Sequence, residues 1–138
     1  MYVINQDDKS IYVTRGDALL FDVGAEYNEK PYTFVKGNLL RLKIYKKKNV
    51  ADVVLQKDFP VTEDNQIVQV YLSSEETKLG DLINKPVDYW YEIELNPDTD
   101  PQTLIGYDED GAKIFKLFPE GATLEAFATE RRETWEMR

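Results

Sequence analysis

Carboxylates are the most abundant reactive groups in this chain: 26 Asp and Glu stand against 17 Lys and Arg, with no His and no Cys. General-base work would therefore fall to a carboxylate, a lysine or a tyrosine. No thiolate or imidazole metal site and no disulfide can form. Most of the clustered acids lie where turns are expected, and there Asp serves local backbone hydrogen bonding. Nothing singles out a nucleophile. The reading is of a protein that is not an enzyme, with no catalytic residues, no cofactor and no metal ligands.

Four short constellations invite chemistry, and the first three are better explained by structure. Asp98, Asp100, Asp108 and Asp110 offer oxygen ligands, and Asp108-x-Asp110-Gly111 looks like a fragment of a calcium loop. Phe115, Lys116 and Leu117 then stand where a further ligand is needed, so solvated turns are expected. Arg15-Gly16-Asp17 spells the integrin-binding tripeptide, yet it separates two strand-like runs and reads as a turn or bulge. Lys46-Lys47-Lys48 at a strand end suits an edge protected against aggregation. Tyr89-Trp90-Tyr91 is the most informative of the four: in a half-buried strand either Trp90 or the tyrosine pair must face outward, where an aromatic can anchor a partner.

The elements that hold these residues are strands. Ser10 to Thr14, Ala18 to Ala25, Leu39 to Lys48, Val53 to Phe59, Ile67 to Leu72 and Val87 to Leu95 alternate apolar and polar positions. In the third run Leu40, Leu42 and Ile44 share one face and Arg41, Lys43 and Tyr45 the other, as in a strand with one wet side. Glu26 to Lys30, Lys36 to Asn38, Pro60 to Asn65 and Asn96 to Pro101 carry turn chemistry. Thr103 to Tyr107 and Ala112 to Phe118 are expected to form a hairpin around Asp108 to Gly111. Ser73 followed by Glu76 predicts a capping box that opens a short helix, closed by Gly80.

Residues 123–138 are rich in Glu, Ala and Arg and lack Gly and Pro, which predicts a helix. Leu124, Phe127, Ala128, Arg131 and Trp135 fall near one face at spacings of three, four and seven. About four turns are marginal alone in water, so the stripe must find a surface, either its own domain or a neighbouring subunit. Leu124, Phe127, Arg131 and Trp135, with Trp90, are the candidate partner-binding residues. The fold expected is all-β: an immunoglobulin-like antiparallel β-sandwich over residues 1–119, with a short connecting helix, and a C-terminal helical extension over 120–138. A barrel is the alternative.

A net charge of -9 repels phosphate backbones and anionic membranes, which argues against nucleic-acid and membrane partners. No run approaches the roughly 18 apolar residues of a membrane span, and the first residues lack the pattern of a signal peptide. A soluble protein that does not leave by the general secretory route is expected.

Three segments resemble small modules of phage and prophage tails and baseplates from Gram-positive bacteria. They are Ile11-Tyr12-Val13-Thr14-Arg15-Gly16-Asp17, Pro31-Tyr32-Thr33-Phe34 and Gly37-Asn38-Leu39-Leu40-Arg41-Leu42-Lys43-Ile44. Downstream, Leu72 to Leu82 and Tyr89 to Leu95 look like the short helix and Tyr-x-Tyr-x-Ile strand of the same modules. The similarity is to the N-terminal domain of baseplate upper proteins and runs from about residue 10 to 95. It implies an immunoglobulin-like sandwich in a virion component that assembles in the host bacterial cytoplasm. Its implied partners are other virion proteins or copies of itself, so a homo-oligomer within an assembly. This chain departs from the pattern by ending in the expected helix instead of running on into a long fibre region. The alternative is a carbohydrate- or ligand-binding module that uses Trp90 and tyrosines as stacking platforms.

Overall fold

The computed structural model describes residues 1–49, 51–108 and 111–122. Over these residues the chain is all-β. Eleven strands follow in order: β1 (Tyr2–Ile4), β2 (Ile11–Thr14), β3 (Leu19–Val23), β4 (Glu26–Tyr27), β5 (Lys30–Pro31), β6 (Leu39–Lys47), β7 (Ala51–Pro60), β8 (Val68–Leu72), β9 (Val87–Leu95), β10 (Gln102–Ile105) and β11 (Lys113–Phe118).

The large sheet has the order β1-β2-β11-β9-β6-β7, with β10 also paired to β9. β3 and β8 form a second, two-stranded sheet, and β4 and β5 a small hairpin. Asn28 and Glu29 turn that hairpin with positive φ at both positions, the geometry a two-residue connection needs. One apolar core joins the layers. Leu19, Val23, Val70 and Leu72 of the small sheet share it with Leu40, Leu42, Ile44, Tyr91, Ile93 and Leu117 of the large one. Period-two alternation is the cause: β9 buries Tyr89, Tyr91, Ile93 and Leu95 and leaves Trp90, Glu92 and Glu94 between them half-buried.

Four expectations need correction or restriction. The sheet is not wholly antiparallel, because β2 runs parallel to β11 with Ile11 opposite Phe115. About a hundred residues separate the two strands, and a parallel pair requires such a long connection. Second, β10 and β11 do not pair with each other. Both lie antiparallel along the same side of β9, Gln102 opposite Leu95 and Lys113 opposite Tyr91. Asp108 and Gly111, which flank residues outside the described set, exchange backbone hydrogen bonds of 2.9 and 3.3 Å.

Third, the connecting helix is a single capped turn. The capping box forms as expected: Ser73 N–H donates to the Glu76 carboxylate at 2.9 Å, and Glu76 N–H to Ser73 Oγ at 3.2 Å. Two backbone bonds follow, from Thr77 N–H to the Ser73 carbonyl and from Lys78 N–H to the Glu75 carbonyl, both 3.2 Å. Thr77 is buried and its hydroxyl is bound to the carbonyls of Asp17 and Ser74, while Leu79 turns into the core. These tertiary anchors stop the turn before propagation repays nucleation. Finally, the C-terminal helix expected over 123–138 lies outside the described residues, and no helix occurs among the described ones.

Candidate contact surfaces

The face of the large sheet that points away from the core is organised by charge around two aromatics. Alternation along β9 turns Trp90 outward, where it is half-buried with Tyr45 of β6 and Ile114 of β11 as its lateral neighbours. The Tyr45 hydroxyl donates to the Glu92 carboxylate. Burial, then that carboxylate, pushes the hydroxyl well above the usual tyrosine range. Around the pair, Lys43 lies 3.2 Å from Glu94 and Lys116 lies 3.3 Å from Asp88. Arg41 bridges Asp58 at 2.7 Å and Asp98 at 2.9 Å. Its hydrogen bond holds the Asp58 carboxyl below the ordinary carboxylate range.

Tyr89 and Tyr91 face the core, so of the three consecutive aromatics Trp90 alone is turned outward. Tyr91 donates its hydroxyl to the Lys9 carbonyl, and burial raises its pKa. Tyr89 and Tyr91 therefore do not share the outer face with Trp90, whose tyrosine neighbour there is Tyr45. Of the other candidate partner-binding residues, Leu124, Phe127, Arg131 and Trp135 lie outside the described residues.

A second surface is the β7 edge, which no described strand pairs on its outer side. Val53 is 51% exposed and Val54 38%. The adjoining tip, Lys46 to Asn49, is solvent-facing, Lys47 pairs with Asp52 at 3.2 Å, and Asp52 adopts φ +60°. A register shift between Ile44 and Tyr45 bends the strands there. Charges and bulges of this kind limit indiscriminate edge pairing. The far half of β7 leans on the small sheet. Lys57 Nζ sits 3.9 Å from the Tyr71 ring centroid, 3.0 Å from the Tyr71 carbonyl and 2.7 Å from Glu76. Burial raises the Glu76 carboxyl, but the hydrogen bonds from Lys57 and Ser73 outweigh it and leave the pKa lowered. Sequence reasoning found the lysines of this edge but not its apolar strip. The signal was present as two adjacent valines that break the alternation.

Arg15-Gly16-Asp17 is a structural clasp. The Arg15 guanidinium lies 2.7 Å from Glu120 and 3.0 Å from the Gly80 carbonyl, Gly16 N–H donates to Thr77 Oγ1 at 3.1 Å, and Gly16 has φ +89°. Asp17 pairs with the Met1 amino group. The expectation of a chain-redirecting turn is met. Of the acidic turns, Asp98 is engaged by Arg41 and Asp108 lies 2.7 Å from Lys113, while Asp110 lies outside the described residues. Among the described residues no group of three or more acids gathers as a metal site would require. A groove of about 510 Å³ runs beside β3, lined by Phe21, Val23, Leu104 and Ile105 with Lys9 and Asp22. Its walls mix these apolar side chains with polar groups, including Gln6 and Gln69 beside the amine and the carboxylate. Comparison with protein-family models, curated proteins and solved structures finds no match.

Proposed function

We propose that this chain is a structural component of a phage or prophage particle, built on an immunoglobulin-like β-sandwich and acting through protein–protein contacts. The observation that carries the contact reading is the β7 edge, ten residues long, with Val53 and Val54 exposed and no strand on its outer side among the described residues. Main-chain groups on such an edge supply affinity by strand addition, and the side chains beside them supply selectivity. The sandwich reading is supported by β3 and β8 facing a sheet in which β11, β9 and β6 are neighbours. The phage context is supported by the similarity of residues 10 to 95 to baseplate modules. Repetition by symmetry turns a modest edge contact into a stable assembly.

Lysine cross-linking of particles induced from the host that carries the gene, followed by mass spectrometry, tests this. The expected result is the chain in purified particles, with intermolecular cross-links at Lys46, Lys47, Lys48 or Lys57. A chain abundant in the lysate but missing from the particles overturns the particle role. Cross-links confined to lysines remote from β7 overturn the edge contact.

A further inference from the structure

Two strand edges open onto the groove beside β3. Among the described residues β3 pairs with β8 on one side and with no strand on the other, and β10 pairs only with β9. Residues 20–24 line the groove consecutively, so side chains of both faces of β3 contribute and the main chain of its unpaired side borders the opening. Leu104 and Ile105 of β10 line it as well. Phe21, Leu104 and Ile105 pack against the core but are only partly buried, so the core is incompletely covered here. The Leu20 carbonyl accepts a 2.9 Å hydrogen bond from the Tyr2 hydroxyl of β1, a side chain reaching β3 where no strand does. A carbonyl has two lone pairs, which leaves it able to accept a second bond.

We propose that this groove is a strand-addition site for an extended, cationic segment of a partner protein, which pairs with β3 and becomes the third strand of the small sheet. The site is separate from the β7 edge and does not depend on the particle role. Five residues of β3 and its continuation border the groove, a paired length of about 16 Å at roughly 3.3 Å per residue. Its volume of about 510 Å³ falls within the range of roughly 300–1,000 Å³ typical of ligand clefts. Side chains of an added strand alternate. Those turned inward meet Phe21, Leu104 and Ile105 and must be apolar, whereas those turned outward lie beside Leu20 and Asp22, both exposed. The charge of the outward positions follows from the surroundings. Asp22 and nearby Glu26 are exposed carboxylates, and the Lys9 ammonium is already bound to the Gln6 carbonyl at 2.8 Å. A lysine or arginine beside Asp22 makes a favourable cross-strand pair, and the net charge of -9 draws a cationic segment while repelling a second copy of the chain. Main-chain bonds supply the affinity and the alternation selects the sequence.

Titrating the full chain with a short capped peptide that alternates valine and lysine, read by calorimetry and amide hydrogen exchange, tests this. Binding should slow exchange within residues 20–24. Asp22→Lys, at an exposed position where circular dichroism should show the sheet unchanged, is expected to weaken binding about fivefold. A peptide with glutamate in place of lysine should bind about tenfold more weakly than the parent. Methylating the backbone nitrogens of the valines in one peptide and of the lysines in another should abolish binding in one and spare it in the other, because only alternate residues of an added strand turn their N–H toward β3. Failure of the parent peptide to bind, equal binding by the two methylated peptides, or protection confined to residues 51–60 overturns the site. Equal binding by the glutamate peptide overturns the cationic assignment. Protection of β3 in the chain alone that disappears on dilution, together with a halved mass in light scattering, would put a second copy in the groove and overturn the partner protein.

Discussion

The two faces of β9 are made from the same nine residues, yet they are held by different physics. Inward, Tyr89, Tyr91, Ile93 and Leu95 meet Leu40, Leu42, Ile44 and Phe115 in a core where volume decides the energy. Outward, Asp88, Glu92 and Glu94 meet Lys116, Tyr45 and Lys43, with Trp90 half-buried among them. The inner face should respond to lost methylene groups and hardly to solution conditions. The outer face should respond to acid and salt, because its paired charges remain near water. One strand thus provides both the stability of the fold and a surface with chemical character.

The largest effect is expected inside. Ile93→Ala, at a fully buried position between β6 and β10, should lower unfolding free energy by about 2–5 kcal/mol, read from urea denaturation with an unchanged slope. An effect under about 1 kcal/mol would mean that the layers are loosely packed there. Tyr91→Phe probes an inward hydroxyl that has a backbone partner. It leaves the Lys9 carbonyl without that donor and should cost about 0.5–1.5 kcal/mol in the same measurement. Ser73→Ala removes the cap that organises the connection into β9 and should cost about 0.5–1 kcal/mol, without altering the sheet signal in circular dichroism.

Acid should next separate the paired carboxylates, Asp58 on the outer face and Glu76 beside the small sheet, from the apolar core. Asp58 and Glu76 are held below their unfolded values, roughly 3.9 and 4.3. Their stabilisation is complete above those values and is lost as pH falls through the lower folded ones, because the unfolded chain then binds more protons. Denaturation midpoints should therefore drop on acidification from pH 7 toward pH 3. Asp58→Asn together with Glu76→Gln should flatten that drop, whereas Ile93→Ala should leave its shape unchanged. The smallest effect is expected from Arg41→Met, which removes a surface bridge between Asp58 and Asp98. It should show mainly as a weaker salt dependence of stability. Equal salt dependence in both chains would show that the outer ion pairs contribute nothing measurable.

Much of the sheet is legible from local pattern. Alternation assigned Leu40, Leu42 and Ile44 to one face and Arg41 and Lys43 to the other, and the run Val87 to Leu95 coincides with β9. The Ser73–Glu76 capping box was equally readable, because its bonds span only three residues. The candidate surfaces were less so. Trp90 was identified as one of two possible outward residues, but choosing between it and the tyrosines required the register of β9 against β6 and β11. β1 escaped notice because three residues, Tyr2 to Ile4, carry too little periodicity to mark a strand.

The all-β class, the inward residues of the long strands and the turn at Gly16 each follow from chemistry within a few positions along the chain. Tertiary structure alone decided that β2 runs parallel to β11, that β10 and β11 share one side of β9, and that the capped segment stops after one turn. It also turned Arg15-Gly16-Asp17 into a clasp on Gly80, Thr77 and Glu120. The physical reason is range. Side-chain alternation and capping are set by neighbours along the chain, whereas strand partners and anchors are chosen by packing between residues far apart in sequence.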